Sequence, residues 1–210
     1  MTHPSDLFKR IHTRDNYRHI GKELSYKFFM DWKDKIIYCC FQGSNGLLDW
    51  LHNFLFKPEY VEPYKGCGFS VHGGFARVWR SGGDAIMREA KFYTRVMSGW
   101  RLVFCGFSHG GPLAMLAAWY WSKLTRKRYR CVIFGSPKLG WGNDAMKVLS
   151  DSMYLINWVN EADIVTKLPL EKMGFRHVHP RRVNVRRIPV LSLLRVRKHH
   201  QIYDRKEIYP

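Results

Sequence analysis

Ser108 is the residue whose surroundings most clearly indicate chemistry. It stands in the pentapeptide Gly106-Phe107-Ser108-His109-Gly110, which follows the apolar segment Leu102 to Cys105 and precedes an apolar stretch from Leu113 to Trp121. The first segment is typical of a buried strand and the second of a helix. A glycine near each side of the serine permits a tight turn that exposes the hydroxyl at the strand's carboxyl end. The pattern therefore predicts a serine nucleophile.

A serine hydroxyl needs a histidine that accepts its proton and an acid that orients this histidine. Asp163 is the expected acid, because it follows a predicted strand that ends at Val159, and active-site side chains collect at the carboxyl ends of such strands. Four histidines lie further along the chain: His177, His179, His199 and His200. Local chemistry does not distinguish among them, so all four remain candidates for the base.

Alternating strands and helices must position these groups. The patterns predict strands at residues 35–41, 68–71, 101–105, 131–134 and 154–159, and helices at residues 75–97, 113–124 and 144–150. Strands that alternate with helices indicate an α/β protein with a largely parallel sheet covered on both faces.

Six motifs follow one another between Lys35 and Tyr203. They are Phe41-Gln42-Gly43-Ser44 with Asp49-Trp50 and Asn53, Val71-His72-Gly73-Gly74-Phe75 with Trp79, the turn from Gly106 to Gly111, Phe134-Gly135-Ser136-Pro137, Asn160 with Asp163-Ile164-Val165 and Leu168-Pro169, and His200 with Tyr203. In residue type, order and spacing this set resembles the class 3 lipases, the fungal-type triacylglycerol lipase family. The resemblance implies the α/β-hydrolase fold, with a mostly parallel central sheet and helices on both faces.

The resemblance also implies roles for individual residues. Ser108 is expected to be the nucleophile, Asp163 the acid and His200 the base of a serine ester hydrolase that cleaves acylglycerol or phospholipid esters. The backbone N–H groups of Ser44 and His109 are expected to form the oxyanion hole. This mechanism requires no metal and no cofactor.

Three positions depart from the family pattern. Gln42 replaces the usual arginine, His109 replaces the common leucine after the nucleophile, and His199 beside His200 leaves a one-residue ambiguity for the base. These departures leave open an alternative function, in which a catalytically degenerate descendant uses its basic surface to bind anionic membrane or nucleic acid.

An apolar run after Ser44 has two interpretations. It extends from Leu47 to Phe56, and its apolar residues include Leu47, Leu48, Trp50, Leu51 and Phe54. It is either a buried core helix or a lid and substrate-binding segment that exposes these side chains to a lipid interface.

Charge is concentrated in the C-terminal part of the chain. The formal net charge is +18, and residues 172–210 carry eleven Lys and Arg against Asp204 and Glu207. A basic segment of this kind favours an anionic membrane surface as partner, with nucleic acid as the less favoured alternative.

Composition limits the remaining classes. An apolar content of 46% excludes a disordered chain, and the length indicates a single domain over residues 1–210 with a basic segment at 172–210. The polar N-terminus lacks the apolar core of a signal peptide. Five cysteines without C-x-x-C spacing suit a reducing compartment. We therefore expect a cytoplasmic protein, peripheral to membranes.

Overall fold

The computed structural model describes residues 3–13, 15–42, 57–62, 65–66, 68–182 and 202–209. Within these ranges the strands are β1 (Arg18–Ile20), β2 (Leu24–Asp31), β3 (Ile36–Phe41), β4 (Pro58–Val61), β5 (Phe69–His72), β6 (Arg101–Phe107), β7 (Tyr129–Phe134), β8 (Gly140–Trp141), β9 (Met153–Val159), β10 (Phe175–Arg176) and β11 (Pro180–Arg182). The helices are α1 (Pro4–His12), α2 (Gly73–Val96), α3 (Gly110–Thr125) and α4 (Gly142–Ser152). Short 3₁₀ turns cover Ile164–Lys167, Glu171–Met173, Ile202–Asp204 and Lys206–Ile208.

The large sheet has the order β1-β2-β3-β6-β7-β9-β11. Strands β3, β6, β7, β9 and β11 are parallel to one another, whereas β1 and β2 form an antiparallel edge. Because parallel strands end at the same edge, the residues after Phe107, Phe134 and Val159 lie along one side of the sheet. The expected mostly parallel sheet with helices is confirmed.

A second, antiparallel sheet has the order β10-β8-β5-β4. The strand predicted at residues 68–71 belongs here and not to the parallel sheet, since β5 pairs with β4 and β8. His72, the last residue of β5, is the N-cap of α2. Its Nδ1 accepts a hydrogen bond from the N–H of Gly74 at 3.1 Å. Burial lowers the pKa of His72 to about 3, so the ring stays neutral and can act as this acceptor.

Alternation along the strands divides the core between the two faces of the large sheet. On one face Leu102 and Phe104 of β6 belong to a cluster that includes Trp119 of α3. On the other face Val103 and Cys105 belong to a cluster with residues of α1 and with Tyr203. Helix α1, which the sequence patterns did not predict, therefore covers part of the second face through Leu7, Phe8 and Ile11.

Candidate active site

The turn after β6 holds Ser108 in a strained conformation. Its φ is +53°, in the left-handed region that costs a non-glycine residue free energy. A Cβ at Gly106 would collide with the carbonyl oxygen of Gly110, and a Cβ at Gly110 would collide with that of Phe41. Both glycines are therefore required by close backbone approach, as the motif predicts. The N–H of Ser108 donates to the carbonyl oxygen of Phe134 at 3.0 Å, which joins the turn to β7.

The chain leaving β3 passes directly beside this turn. The carbonyl oxygen of Gln42 would be 2.8 Å from a Cβ at Gly110, and the N–H of Gln42 donates to Ser25 at 3.1 Å. Ser44, the expected oxyanion residue, lies outside the described residues, as does the whole run from Leu47 to Phe56, with Leu48, Trp50, Leu51 and Phe54.

His109 lies immediately before α3, where N–H groups at the start of a helix are suited to binding negative charge. Its ring is buried, with its centroid 5.3 Å from that of Phe75. Burial lowers the pKa of His109 to about 4, so the imidazole is neutral at physiological pH. The ring is therefore a packing group, and the backbone N–H remains the expected functional part of this residue.

Asp163 is fully buried on the loop that follows β9. Its Oδ1 accepts a hydrogen bond from the N–H of Val165 at 3.0 Å, and its N–H donates to the carbonyl oxygen of Asn160 at 3.0 Å. The Thr166 hydroxyl donates to the Asp163 carbonyl oxygen at 2.8 Å. A buried carboxyl group on a loop whose backbone is fixed by hydrogen bonds is suited to orienting a histidine.

Tyr203 ties the C-terminal part of the chain to this loop. Its hydroxyl oxygen accepts the N–H of Asn160 at 2.9 Å, and its buried ring lies 6.0 Å from that of Phe134. Burial raises the pKa of Tyr203 well above its ordinary value, and the nearby Asp163 raises it further. The motif residue three positions after His200 thus lies beside the predicted acid.

Two of the four candidate bases have other partners. His177 Nε2 donates to the carbonyl oxygen of Thr166 at 2.6 Å, so its Nδ1 lone pair faces the Asn157 side-chain amide at 3.2 Å. Burial also lowers the pKa of His177 to about 4. His179 Nε2 lies 2.9 Å from the hydroxyl of Ser150, near the amino end of β9 and away from the edge that carries Ser108. His199 and His200 lie outside the described residues.

Lys138 is a buried residue of the site that the sequence patterns did not reveal. Its Nζ donates to the carbonyl oxygens of Lys167 at 2.7 Å and Pro169 at 3.2 Å, at the end of the loop that carries Asp163. Its own N–H donates to Leu168 at 2.7 Å. Lysine is rarely buried, so its residue type does not predict a buried contact with this loop. The only signal in the sequence is its position directly after the motif that ends at Pro137.

The chain matches a known protein family and several of its members. The family described as Lipase (class 3) matches residues 38–173. A lipase of Rhizomucor miehei is 27% identical over 148 residues, which cover 69% of this chain and 40% of the relative. The secreted mono- and diacylglycerol lipase A of Penicillium camembertii is 28% identical over 155 residues, covering 72% and 48% respectively. The chain therefore spans less than half the length of these relatives.

Solved structures agree on the fold. The Rhizomucor miehei lipase propeptide complex superimposes with a TM-score of 0.71 at 21% identity, covering 79% of this chain and 54% of the other. A triacylglycerol lipase whose catalytic centre is a serine protease triad gives a TM-score of 0.70 at 20% identity, covering 81% and 68%.

One expectation is wrong. Relatives from Penicillium camembertii and Fusarium solani are named as secreted lipases, which contradicts a cytoplasmic location. Neither the polar N-terminus nor the cysteine spacing determines the compartment, because a chain with a large hydrophobic core needs no disulfide framework for its stability. No helix of the described residues is both long and apolar enough to cross a bilayer. The match over residues 38–173 and the fold together show that the chain belongs to the class 3 lipase family.

Proposed function

We propose that the protein is a serine ester hydrolase that acts on acylglycerol or phospholipid esters. The observation that carries this proposal is the strained Ser108 at the carboxyl edge of the sheet, with the buried Asp163 two strands further along the same edge. A strained serine and a buried carboxylate on the same edge of a parallel sheet are typical of a catalytic arrangement. The names of the relatives support ester-linked lipids as the substrate class.

In the proposed mechanism the Ser108 hydroxyl oxygen attacks the ester carbonyl carbon while a histidine accepts the hydroxyl proton. The same histidine then protonates the departing alkoxide, which releases the alcohol and leaves an acyl group on Ser108. Water, activated by the histidine, attacks this acyl ester and releases the carboxylic acid. Asp163 holds the histidine in the required tautomer, and the N–H groups of His109 and Ser44 bind the oxyanion.

We infer that His200 is the base. The supporting observation is Tyr203, whose hydroxyl is bonded to Asn160 on the same loop as Asp163. Three residues span at most about 11 Å when fully extended. Because Tyr203 is anchored at the loop that carries Asp163, the Cα of His200 must lie within this distance of the Cα of Tyr203. His177 and His179 are bonded elsewhere, which leaves His200 and its neighbour His199 as the alternatives to compare.

Hydrolysis of p-nitrophenyl esters of increasing chain length tests the proposal. We expect Ser108→Ala, Asp163→Asn and His200→Ala each to lower kcat/KM by several orders of magnitude. Because triad members act as a unit, the combined variants should lose less than the sum of the separate costs. Matched controls are Ser122→Ala, Asp151→Asn and His179→Ala, which we expect to keep activity within about twofold, as changes away from the site do.

Other outcomes would assign the chain differently. Wild type that hydrolyses esters no faster than buffer alone, with no labelling by a serine-directed fluorophosphonate, would support the non-catalytic binding protein instead. A loss in His199→Ala, with His200→Ala active, would make His199 the base.

The basic segment and the relatives' names support two further parts of the proposal. Arg181 is exposed, with its guanidinium 5.8 Å from the ring of Trp158, so β11 presents positive charge at the edge of the large sheet. We propose that this segment contacts anionic membrane surfaces and that the enzyme acts outside the cell.

A further inference from the structure

A groove of about 410 Å³ lies on the face of the large sheet that α1 partly covers. Its floor consists of apolar side chains from neighbouring strands, including Ile36, Tyr38, Val103 and Val132. Tyr38 and Val103 are register partners on β3 and β6, so these side chains form a continuous surface. Leu7 of α1 borders the groove.

The rim of this groove is strongly positive. Arg101, Lys127, Arg128 and Arg130 line it, and no Asp or Glu belongs to the lining among the described residues. Arg101 Nη2 donates to the carbonyl oxygen of Asp34 at 3.1 Å, which holds this guanidinium at the rim. Among the described residues, no ion pair offsets the charge of Arg101 or Lys127.

One of these cations is held in place by the fold. Arg128 Nη2 donates to the carbonyl oxygens of Ser150 and Met153, both at 2.9 Å. Its guanidinium lies 4.2 Å from the centroid of the Tyr154 ring, and Tyr154 also lines the groove. An arginine fixed in this way loses little side-chain freedom when an anion binds.

The groove is separate from the candidate active site. Arg101 begins β6 and Ser108 follows its last residue, so the two lie at opposite ends of the strand. At about 3.3 Å per residue this separation is roughly 20 Å. Neither Ser108 nor Asp163 lines the groove.

We propose that this groove binds a long-chain fatty acid carboxylate. The apolar floor would take the hydrocarbon chain, because burial of apolar surface favours association. The positive charge of Arg101 and Lys127 at the rim would bind the carboxylate, for which arginine is the best-suited side chain. A volume of about 410 Å³ is within the range of sites that enclose small ligands.

The apolar floor and the positive rim together favour a long-chain carboxylate over other classes of ligand. A neutral lipid such as a long-chain alcohol leaves the cations without a counter-charge, and a short carboxylate leaves the apolar floor exposed to water. A nucleic acid backbone has no apolar segment to occupy the floor. The inference goes beyond the proposed hydrolysis and does not depend on it.

Binding of oleate to the Ser108→Ala protein tests the inference. Isothermal titration calorimetry below the critical micelle concentration is expected to show one site that binds oleate at least tenfold more tightly than oleyl alcohol or octanoate. The double charge reversal Arg101→Glu with Lys127→Glu should weaken oleate binding at least tenfold. A matched reversal on the opposite side of the sheet, Arg88→Glu with Lys91→Glu on α2, should change it less than twofold.

A second variant retains the positive charges of the rim and fills part of the groove. Ile156→Trp places a larger side chain in the groove, and we expect it to weaken oleate binding at least tenfold with a melting temperature close to that of the parent. Oleate binding that is unchanged in both groove variants would overturn the inference and place the ligand elsewhere, as would equal affinity for oleate and oleyl alcohol. Since every measurement uses Ser108→Ala, these outcomes are independent of whether the wild type hydrolyses esters.

Discussion

At the scale of single residues, burial determines which histidines carry charge. His109 is buried, directly after Ser108 in the chain, and burial lowers its pKa to about 4. The folded state therefore binds no proton at this ring between about pH 4 and the ordinary histidine pKa of about 6.5, whereas the unfolded state does. Above pH 6.5 the ring is neutral in both states. Stability is lost as the pH falls from 6.5 towards 4.

We predict that His109→Leu reduces this acid sensitivity. The difference in free energy of unfolding between pH 8 and pH 5 should shrink by about 2 kcal/mol, because one fewer group takes up a proton on unfolding. Urea denaturation at the two pH values measures the difference. Met115→Leu, another buried change on α3, should keep the wild-type difference. Ester hydrolysis by His109→Leu should persist, since leucine supplies the same backbone N–H; equal pH dependence in both proteins would contradict the prediction.

At the scale of elements, the loop that carries Asp163 depends on contacts from distant segments. Lys138 follows β7 and donates two hydrogen bonds to this loop, and His177 donates a third. Burial lowers the pKa of Lys138. These contacts hold the backbone of the loop that carries Asp163.

We predict that Lys138→Met lowers stability by about 2–3 kcal/mol, because it leaves buried carbonyl oxygens without a charged donor. It should also lower kcat at least tenfold with a smaller change in KM, as expected of a positioning residue. Lys138→Arg should restore part of the activity, and Lys147→Met, at an exposed position of α4, is the matched control. A Lys138→Met protein that is less stable yet has unchanged kcat would show that the loop keeps its geometry without the Lys138 hydrogen bonds.

The lid role of the run from Leu47 to Phe56 stays a prediction, and it concerns a single element. If it is a lid, activity per molecule should rise once the substrate exceeds its solubility limit, where an interface first forms. Rates with tributyrin on both sides of that limit measure the effect. Trp50→Ser should diminish the rise, whereas Trp32→Ser, at an exposed residue beyond β2, should not. Smooth saturation in wild type and Trp50→Ser would assign the run to the core.

At the scale of the whole molecule, the concentration of positive charge in residues 172–210 should govern membrane binding. Each Lys or Arg near an anionic bilayer contributes up to about 1 kcal/mol, screened over about 8 Å at physiological salt. We predict tighter binding and faster hydrolysis on vesicles with anionic lipid, both decreasing as salt rises. Reversal of Arg181, Arg182, Arg186 and Arg187 should weaken both, and reversal of Arg88 and Lys91 is the control.

Soluble short-chain esters separate this effect from catalysis, because they need no surface. Their hydrolysis should be nearly indifferent to lipid composition and to the charge reversals. Equal vesicle sedimentation on neutral and anionic lipid at low salt would contradict the prediction.

Local sequence determined the parts of this protein that depend on neighbours in the chain. The glycines around Ser108 predict the strained turn because the steric need arises within five residues. Helix α3 and strands β6 and β9 lie within a few residues of their predicted bounds, since apolar periodicity marks them directly. The family resemblance, carried by six short motifs, added the fold and is confirmed by the family match.

Tertiary structure alone decided the parts that depend on distant segments. Strand β5 has a strand pattern, but its place in the antiparallel sheet depends on β4 and β8. Lys138 is a surface residue by type and becomes buried because the loop at Lys167 and Pro169 folds over it. The groove joins Tyr38, Val103 and Val132 from three strands. Such contacts arise only when the chain packs, because no local pattern records which distant residue will supply a partner.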